Sequence, residues 1–329
     1  MVQFTVLASG SKGNSALLST SSTRILVDAG LSGRELFRRM RLAGHEPAML
    51  DAIVITHEHS DHVQGMAAMA RKLNIPVYLT EGTHREWTRL VRPRQRDTRQ
   101  SYTKWMEEYR ARKAAEAVAA ELAESLETPE VQDSPEVLDS AEMQQPTASA
   151  SVEEACQKDP ARLPEVRYIQ AGERFAVGDI QVHPFTIPHD AADPVGYVFC
   201  AEGVRLAVAT DLGYVPPNVA AQLQDCNLLM LESNHDPEML RDGPYPWSVK
   251  QRVLSRVGHL SNDAAAGFLV QSWDGRAECV ILAHLSESNN LPELARMAAE
   301  RALASHSAGL FGRKLLLASQ EEPLETVTL

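Results

Sequence analysis

Seven consecutive residues carry most of the chemistry this sequence offers: Thr56-His57-Glu58-His59-Ser60-Asp61-His62. Four candidate ligands (His57, His59, Asp61 and His62) fall within six positions, directly after the apolar run DAIVI. Imidazole with carboxylate suits zinc, manganese or iron, and the cluster holds no thiolate. The four cysteines, Cys156, Cys200, Cys226 and Cys279, form no CxxC pair. That argues against a disulfide scaffold and against a cysteine-rich zinc site. Further polar residues close other apolar runs: Asp28 in RILVDAG, His189 in PFTIPHD, Asp211 in ATDLG, Glu232 and His235 in LESNHD, and His284 in ILAHLSESNN. Two metals about 3.5–4 Å apart share a bridging water and lower its pKa toward 7, which suits in-line displacement at phosphorus and also opens lactams or thioesters.

Such residues need strands to deliver them. FTVLAS ends in the Gly/Ser/Asn-rich loop 10–15, and RILVDAG, DAIVIT and PVYLTEG read as further strands. GRELFRRMRLAG and GMAAMARKLN read as helices between them, and this alternation predicts an α/β architecture. Strands resume in ERFAVGDIQVHPFTIPH, VGYVFCAEG, VRLAVATDLG, CNLLMLESNHD and CVILAHLSESNN. Ser261 or Asn262 caps a helix, LPELARMAAERALAS is amphipathic, and GRKLLLASQ is a closing strand. No repeat is long enough for a solenoid, although two sheets could hide two diverged halves.

The 329 residues are 44% hydrophobic, enough for a sizeable core. No run reaches the roughly 20 apolar residues of a membrane span, and the start lacks a signal peptide's charged and apolar regions. A soluble, cytoplasmic protein without membrane insertion is expected. The net charge of −12 is concentrated in one segment: residues 116–159 hold twelve acids and one base, while residues 85–113 hold ten bases and four acids. Residues 104–127, rich in Ala, Glu and Arg, predict a helix. Residues 128–164 carry five prolines amid Ser, Thr, Gln and Glu, and predict a disordered or loosely held segment. The reading is one domain over residues 1–329, interrupted by an insertion at about 92–164. A protein partner through that insertion stays open.

His-x-His-x-Asp-His after an apolar strand resembles the motif of the metallo-β-lactamase-fold hydrolases. SGSKGNS, TEGT, PVGYVF, ATDLGYV, LESNHD, GHLSND and HLSESNN narrow the resemblance to the YycJ/WalJ branch, also called VicX. It covers roughly residues 1–90 and 165–329, and it implies a four-layer αβ/βα sandwich. It further implies two divalent ions, zinc or manganese with iron as a third option. His57, His59 and His189 would hold the first, Asp61, His62 and His284 the second, and Asp211 would bridge them. His235 is the rival of His284 for the last position. Asp28 would support the ligand loop by hydrogen bonds. By likeness to the RNase Z and RNase J types, His259 acts in catalysis, Glu232 orients it, and Asp61 orients the nucleophile. The large added domain of the RNase J type would fall between Asp211 and Glu232, a gap too short to hold it.

Three features favour a phosphodiester. Ser11, Lys12, Gly13, Asn14 and Ser15 form a tight loop whose backbone N–H groups and side chains suit a phosphate cradle. Asn289 and Asn290 add neutral donors beside His284. Arginines at 85, 89, 92, 94, 96 and 99 form a basic run. The resemblance implies a 5′→3′ exonuclease on double-stranded DNA. A hydrolase of a small thioester, lactone or cyclic nucleotide is the alternative. A regulatory or binding protein of cell-envelope two-component signalling is a third reading.

Overall fold

Phe4, Val6, Leu18, Ile25 and Val27 point one way from β1 (Gln3–Ala8), β2 (Ser15–Ser19) and β3 (Arg24–Val27), while Leu7, Leu17 and Leu26 point the other. With both faces apolar, this sheet must be covered on both sides. The computed structural model describes residues 1–92, 159–306 and 313–329, with helical backbone also at 106, 107 and 110. β1 to β3 run antiparallel, and β4 (Ala52–Val54), β5 (Pro76–Leu79) and β6 (Glu165–Tyr168) then add in parallel. The second sheet repeats this plan. β7 (Phe175–Val177), β8 (Ile180–Thr186), β9 (Val195–Ala201) and β10 (Val204–Ala209) are antiparallel, and β11 (Leu228–Glu232), β12 (Cys279–Ala283) and β13 (Lys314–Leu317) follow in parallel.

The sheets pack face to face over Phe4, Leu18, Val54, Tyr197, Phe199, Val208 and Ile281. Leu36, Met40, Met69 and Trp87, from helices Gly33–Leu42, Met66–Leu73 and Glu81–Val91, cover the outer face of the first sheet. Val219, Phe268, Leu269 and Leu303, from helices Pro217–Gln222, Asn262–Gln271 and Pro292–Ala304, cover the second. The result is the four-layer sandwich. Ser261 caps its helix, its Oγ accepting from Ala264 N at 3.1 Å. The strand in GRKLLLASQ is not the last, because β14 (Val327–Thr328) follows and pairs with β1. Two residues in the polar stretch ETVTL offer no apolar alternation to read.

By compactness the chain divides into Met1–Val91 with Pro160–Leu329, and Arg92–Asp159. In the latter unit, Arg92 Nη2 meets Asp159 Oδ2 at 2.7 Å. The helix expected over 104–127 and the loose segment expected over 128–164 lie outside the described residues, apart from 106, 107, 110 and 159–164. Ala161 is buried against the first outer layer. Arg94, Arg96 and Arg99 also lie outside. Arg85 and Arg89 sit on helix Glu81–Val91, where Arg89 pairs with Glu86. Among the described residues, no helix is long and apolar enough to cross a membrane.

Candidate metal centre

The carboxyl ends of the parallel strands deliver the site. Asp28 follows β3, Asp211 follows β10 and His284 follows β12, with φ of 58°, 61° and 57°. A left-handed backbone at a non-glycine residue costs roughly 1–3 kcal/mol and persists where surrounding structure enforces it. Asp211 and His284 line one cavity and Asp28 sits behind it, bonded to the His62 ring, so the three mark a site and not a set of loose turns. Gly30 is required in the same turn, because a Cβ there would stand 1.6 Å from the Asp61 carbonyl oxygen.

The hydrogen bonds fix which nitrogen of each ring is available. Asp28 Oδ1 accepts from Thr56 N at 2.8 Å, and its Oδ2 accepts from Thr56 Oγ1 at 2.9 Å and from His62 Nδ1 at 2.8 Å. Thr56 Oγ1, having donated its hydrogen, accepts from His57 Nδ1 at 3.0 Å. His189 Nδ1 donates to Gly258 O at 3.3 Å, and His284 Nδ1 donates to Glu232 Oε1 at 2.8 Å. Each ring thereby turns the lone pair of Nε2 inward. His57 Nε2 and His189 Nε2 converge on His59 Nδ1 at 3.0 and 3.2 Å. His62 Nε2 lies 3.5 Å from Asp61 Oδ2 and 3.4 Å from Asp211 Oδ2. His284 Nε2 lies 3.6 Å from Asp61 Oδ2.

These residues form overlapping clusters that could hold a cation: His57, His59 and His189; His57, His62 and Asp211; Asp61, His62 and His284. Within each, the candidate ligand atoms lie within 4.8 Å of one another. Two buried atoms, Asp211 Oδ2 and His284 Nε2, have no hydrogen-bond partner. Electrostatics agree. Burial holds His57 well below its ordinary range. At His62 burial also pulls down, but Asp211, Asp28 and Asp61 outweigh it and hold the ring well above its range. Asp211, Asp61 and Glu232 do the same for His284. The carboxylates need positive charge between them, from imidazolium protons or from a cation that replaces them. The donor set fits metal binding.

Glu232, fully buried, sits behind the cluster. Its Oε1 accepts from His259 Nδ1 and His284 Nδ1, both at 2.8 Å. Its Oε2 accepts from the backbone of Leu212 at 2.9 Å and Leu260 at 3.2 Å. Burial raises its pKa, but His259 and His284 outweigh burial and bring it to about 2. His259, with Nδ1 so engaged, presents Nε2 to a cavity of about 320 Å³ that Asp61, Asp211 and His284 also line.

The Metallo-beta-lactamase superfamily model matches residues 9–236. The chain belongs to this superfamily. Within it, the chain is 32% identical over 314 residues to "Exodeoxyribonuclease YycJ" of Bacillus anthracis, covering 94% of this chain and 92% of the relative. It is 30% identical over 308 residues to "Exodeoxyribonuclease WalJ" of Streptococcus pneumoniae, covering 94% and 90%. These relationships place it in the YycJ/WalJ family. The crystal structure of the metallo-beta-lactamase fold protein YhfI from Bacillus subtilis superposes with a TM-score of 0.58 at 14% identity over 98% of both chains, a likeness of fold alone. The protein is a metallo-beta-lactamase-family hydrolase.

Within this superfamily site, the structure brings His284 into the clusters and leaves His235 out. His235 is buried by Leu260 to Asn262, where its carbonyl accepts from Asn262 N at 2.9 Å. Burial lowers its pKa to about 4.

Four backbone donors of the loop expected to cradle phosphate are taken within the protein. Gly10 N donates to Asn14 Oδ1, Lys12 N to Gln320 Oε1, Gly13 N to Gly10 O and Asn14 N to Asp61 O. Asn14 Nδ2 donates to Asp61 Oδ2 at 3.2 Å and His62 Nε2 at 3.1 Å, so this residue fixes the ligand helix. Ser15 Oγ donates to Asp28 O at 2.8 Å from within β2. Asn290 is buried, its amide donating to Ser233 O and Asn234 O. Asn289, 1% exposed, donates to Ser286 Oγ. Of the residues expected to bind substrate, Ser11 and Lys12 border open cavities. Sequence reasoning missed Thr56 and Ser9. Ser9 Oγ accepts from His284 N at 2.8 Å. Each stands at the first position of a motif, Thr56 before the histidine cluster and Ser9 in SGSKGNS, and that was the available signal.

Proposed function

We propose that the protein is a metal-dependent phosphodiesterase acting on DNA, a 5′→3′ exonuclease on double-stranded ends. The observation that carries this reading is His259, backed by buried Glu232 and facing the same cavity as Asp61, Asp211 and His284. The names of the two relatives, both exodeoxyribonucleases, support it. Two divalent cations would supply an activated water and neutralise charge on the phosphoryl group. Zinc or manganese suits the ligands: His57, His59 and His189 for one, Asp61, His62 and His284 for the other, with Asp211 shared.

The chain's own groups do the rest. Asp61, held by Asn14 on its Oδ2, accepts a proton from the attacking water and orients it. His259 Nε2 donates a proton to the departing oxygen, and Glu232 keeps the ring aligned through the bond to Nδ1. The test is end-labelled linear duplex DNA with the metal-stripped protein, resupplied with zinc or manganese, beside Asp61→Ala. Stepwise shortening from the 5′ end by wild type, absent in the variant, is the expected result. A metal-loaded wild type that leaves DNA intact refutes the reading and turns attention to small thioesters, lactones and cyclic nucleotides.

A further inference from the structure

The cavity that holds His259 has a second wall that takes no part in the chemistry described so far. Tyr245, Arg252 and Val253 line it together with Asp61, Asp211 and His284. Helix Trp247–Val253 carries two of them, and the Val253 carbonyl accepts from His259 N at 2.9 Å, so this wall and His259 share one piece of backbone. Four of the twelve exposed large apolar side chains among the described residues lie on this helix or within four residues after it: Trp247, Val249, Leu254 and Val257.

Arg252 gives that surface its chemistry. Its side chain is 61% exposed and held through Nε by Asp190, next to His189. One nitrogen engaged leaves the rest of the guanidinium fork for a phosphate. Arg256 adds a second cation nearby, its guanidinium 4.4 Å from the Tyr214 ring centroid. Cations interleaved with aromatic faces are the pattern that tracks single-stranded nucleic acid, because every base has a face to stack and every linkage a charge.

We propose that Arg252 and Tyr245 bind the substrate strand beside the scissile bond, Arg252 gripping the neighbouring phosphate and Tyr245 stacking on the base next to it. This rests on the nuclease reading above. A base stacked on Tyr245 has left its own duplex, so the strand reaches the metal centre unpaired.

The test uses the full-length, metal-loaded protein as wild type, Arg252→Ala, Arg252→Lys, Tyr245→Ala and Tyr245→Phe. Each is assayed on a labelled oligonucleotide and on bis(p-nitrophenyl) phosphate, a small phosphodiester. Arg252→Ala raises KM for the oligonucleotide roughly tenfold or more, with a much smaller change in kcat. The slope of log KM against log salt falls by about one. Tyr245→Ala weakens the oligonucleotide about tenfold, and Tyr245→Phe, which keeps the ring, restores it. For both alanine variants the loss on the oligonucleotide exceeds that on the small ester at least tenfold. Equal losses on both substrates overturn the proposal, because Arg252 would then only brace Asp190 and His189. Unchanged oligonucleotide KM with an altered sedimentation coefficient also overturns it, making this surface a protein contact. A wild type active on the small ester but on no nucleic acid fails the nuclease reading itself, and the proposal with it.

Discussion

Glu232→Gln is the sharpest probe of the centre. It preserves volume and exchanges one acceptor oxygen for an NH2 group. All four groups facing the carboxylate are donors: two imidazole N–H groups on Oε1 and two backbone N–H groups on Oε2. An amide can satisfy one pair and must aim hydrogens at the other. The backbone cannot adapt, but the imidazoles can move their protons from Nδ1 to Nε2. His284 then loses the lone pair it offers inward. Removing a hydrogen-bond partner of a metal-ligating group typically weakens binding 10–100-fold, about 1.4–2.7 kcal/mol. Calorimetric titration of the metal-stripped variant with zinc should show one site weakened by that factor. With metal saturating, kcat should fall about a hundredfold through the misaligned His259.

The acid limb of stability should change with it. In the folded protein the Glu232 pKa is depressed from 4.5 to about 2. Its contribution is therefore present above pH 4.5 and lost as pH falls toward 2, and it amounts to a few kcal/mol at most. Glutamine does not titrate, so acid unfolding of the metal-free variant should be flatter across that window. Zinc affinity equal to wild type, with kcat within twofold, would refute this account of Glu232.

Two further substitutions test the rest of the centre. His284→Ala should lose one equivalent of bound metal by atomic emission, while His235→Ala should keep both; the reverse would reassign the last ligand. Gly30→Ala should destabilise by about 3 kcal/mol or more and impair zinc binding, because the added carbon meets the Asp61 backbone and cannot be accommodated by a side-chain shift. Denaturant unfolding and metal titration together would show it, and a loss below 1 kcal/mol would contradict the close approach.

The strands and their catalytic ends were legible because apolar runs terminate on polar residues, and because His57 to His62 are neighbours in sequence. The helix cap at Ser261 was equally plain. What escaped depends on who bonds to whom. The loop 10–15 looks like an anion cradle in composition, yet Gln320, more than three hundred residues away, takes the Lys12 N–H. Asn289 and Asn290 have the polarity of substrate contacts but lie under the surface, bonding Ser286, Ser233 and Asn234. Arg252 carries no motif. It gains meaning through the fold, which places it in the cavity that His284 also lines.

The two sheets share a plan, and the centre sits on the seam between them. His57, His59, Asp61 and His62 come from the first sheet's strand ends, and His189, Asp211 and His284 from the second's. Each of the three clusters described above draws members from both. A cation held there is a crosslink between halves that are otherwise joined at this edge by packing and hydrogen bonds. At a hundredfold excess over its dissociation constant, such a ligand stabilises the fold by about 2.7 kcal/mol. Prising the sheets apart from this edge requires the ion to leave first. Metal supply would then govern the lifetime of the protein as well as its turnover, and a starved cell would lose it to proteolysis along with its activity.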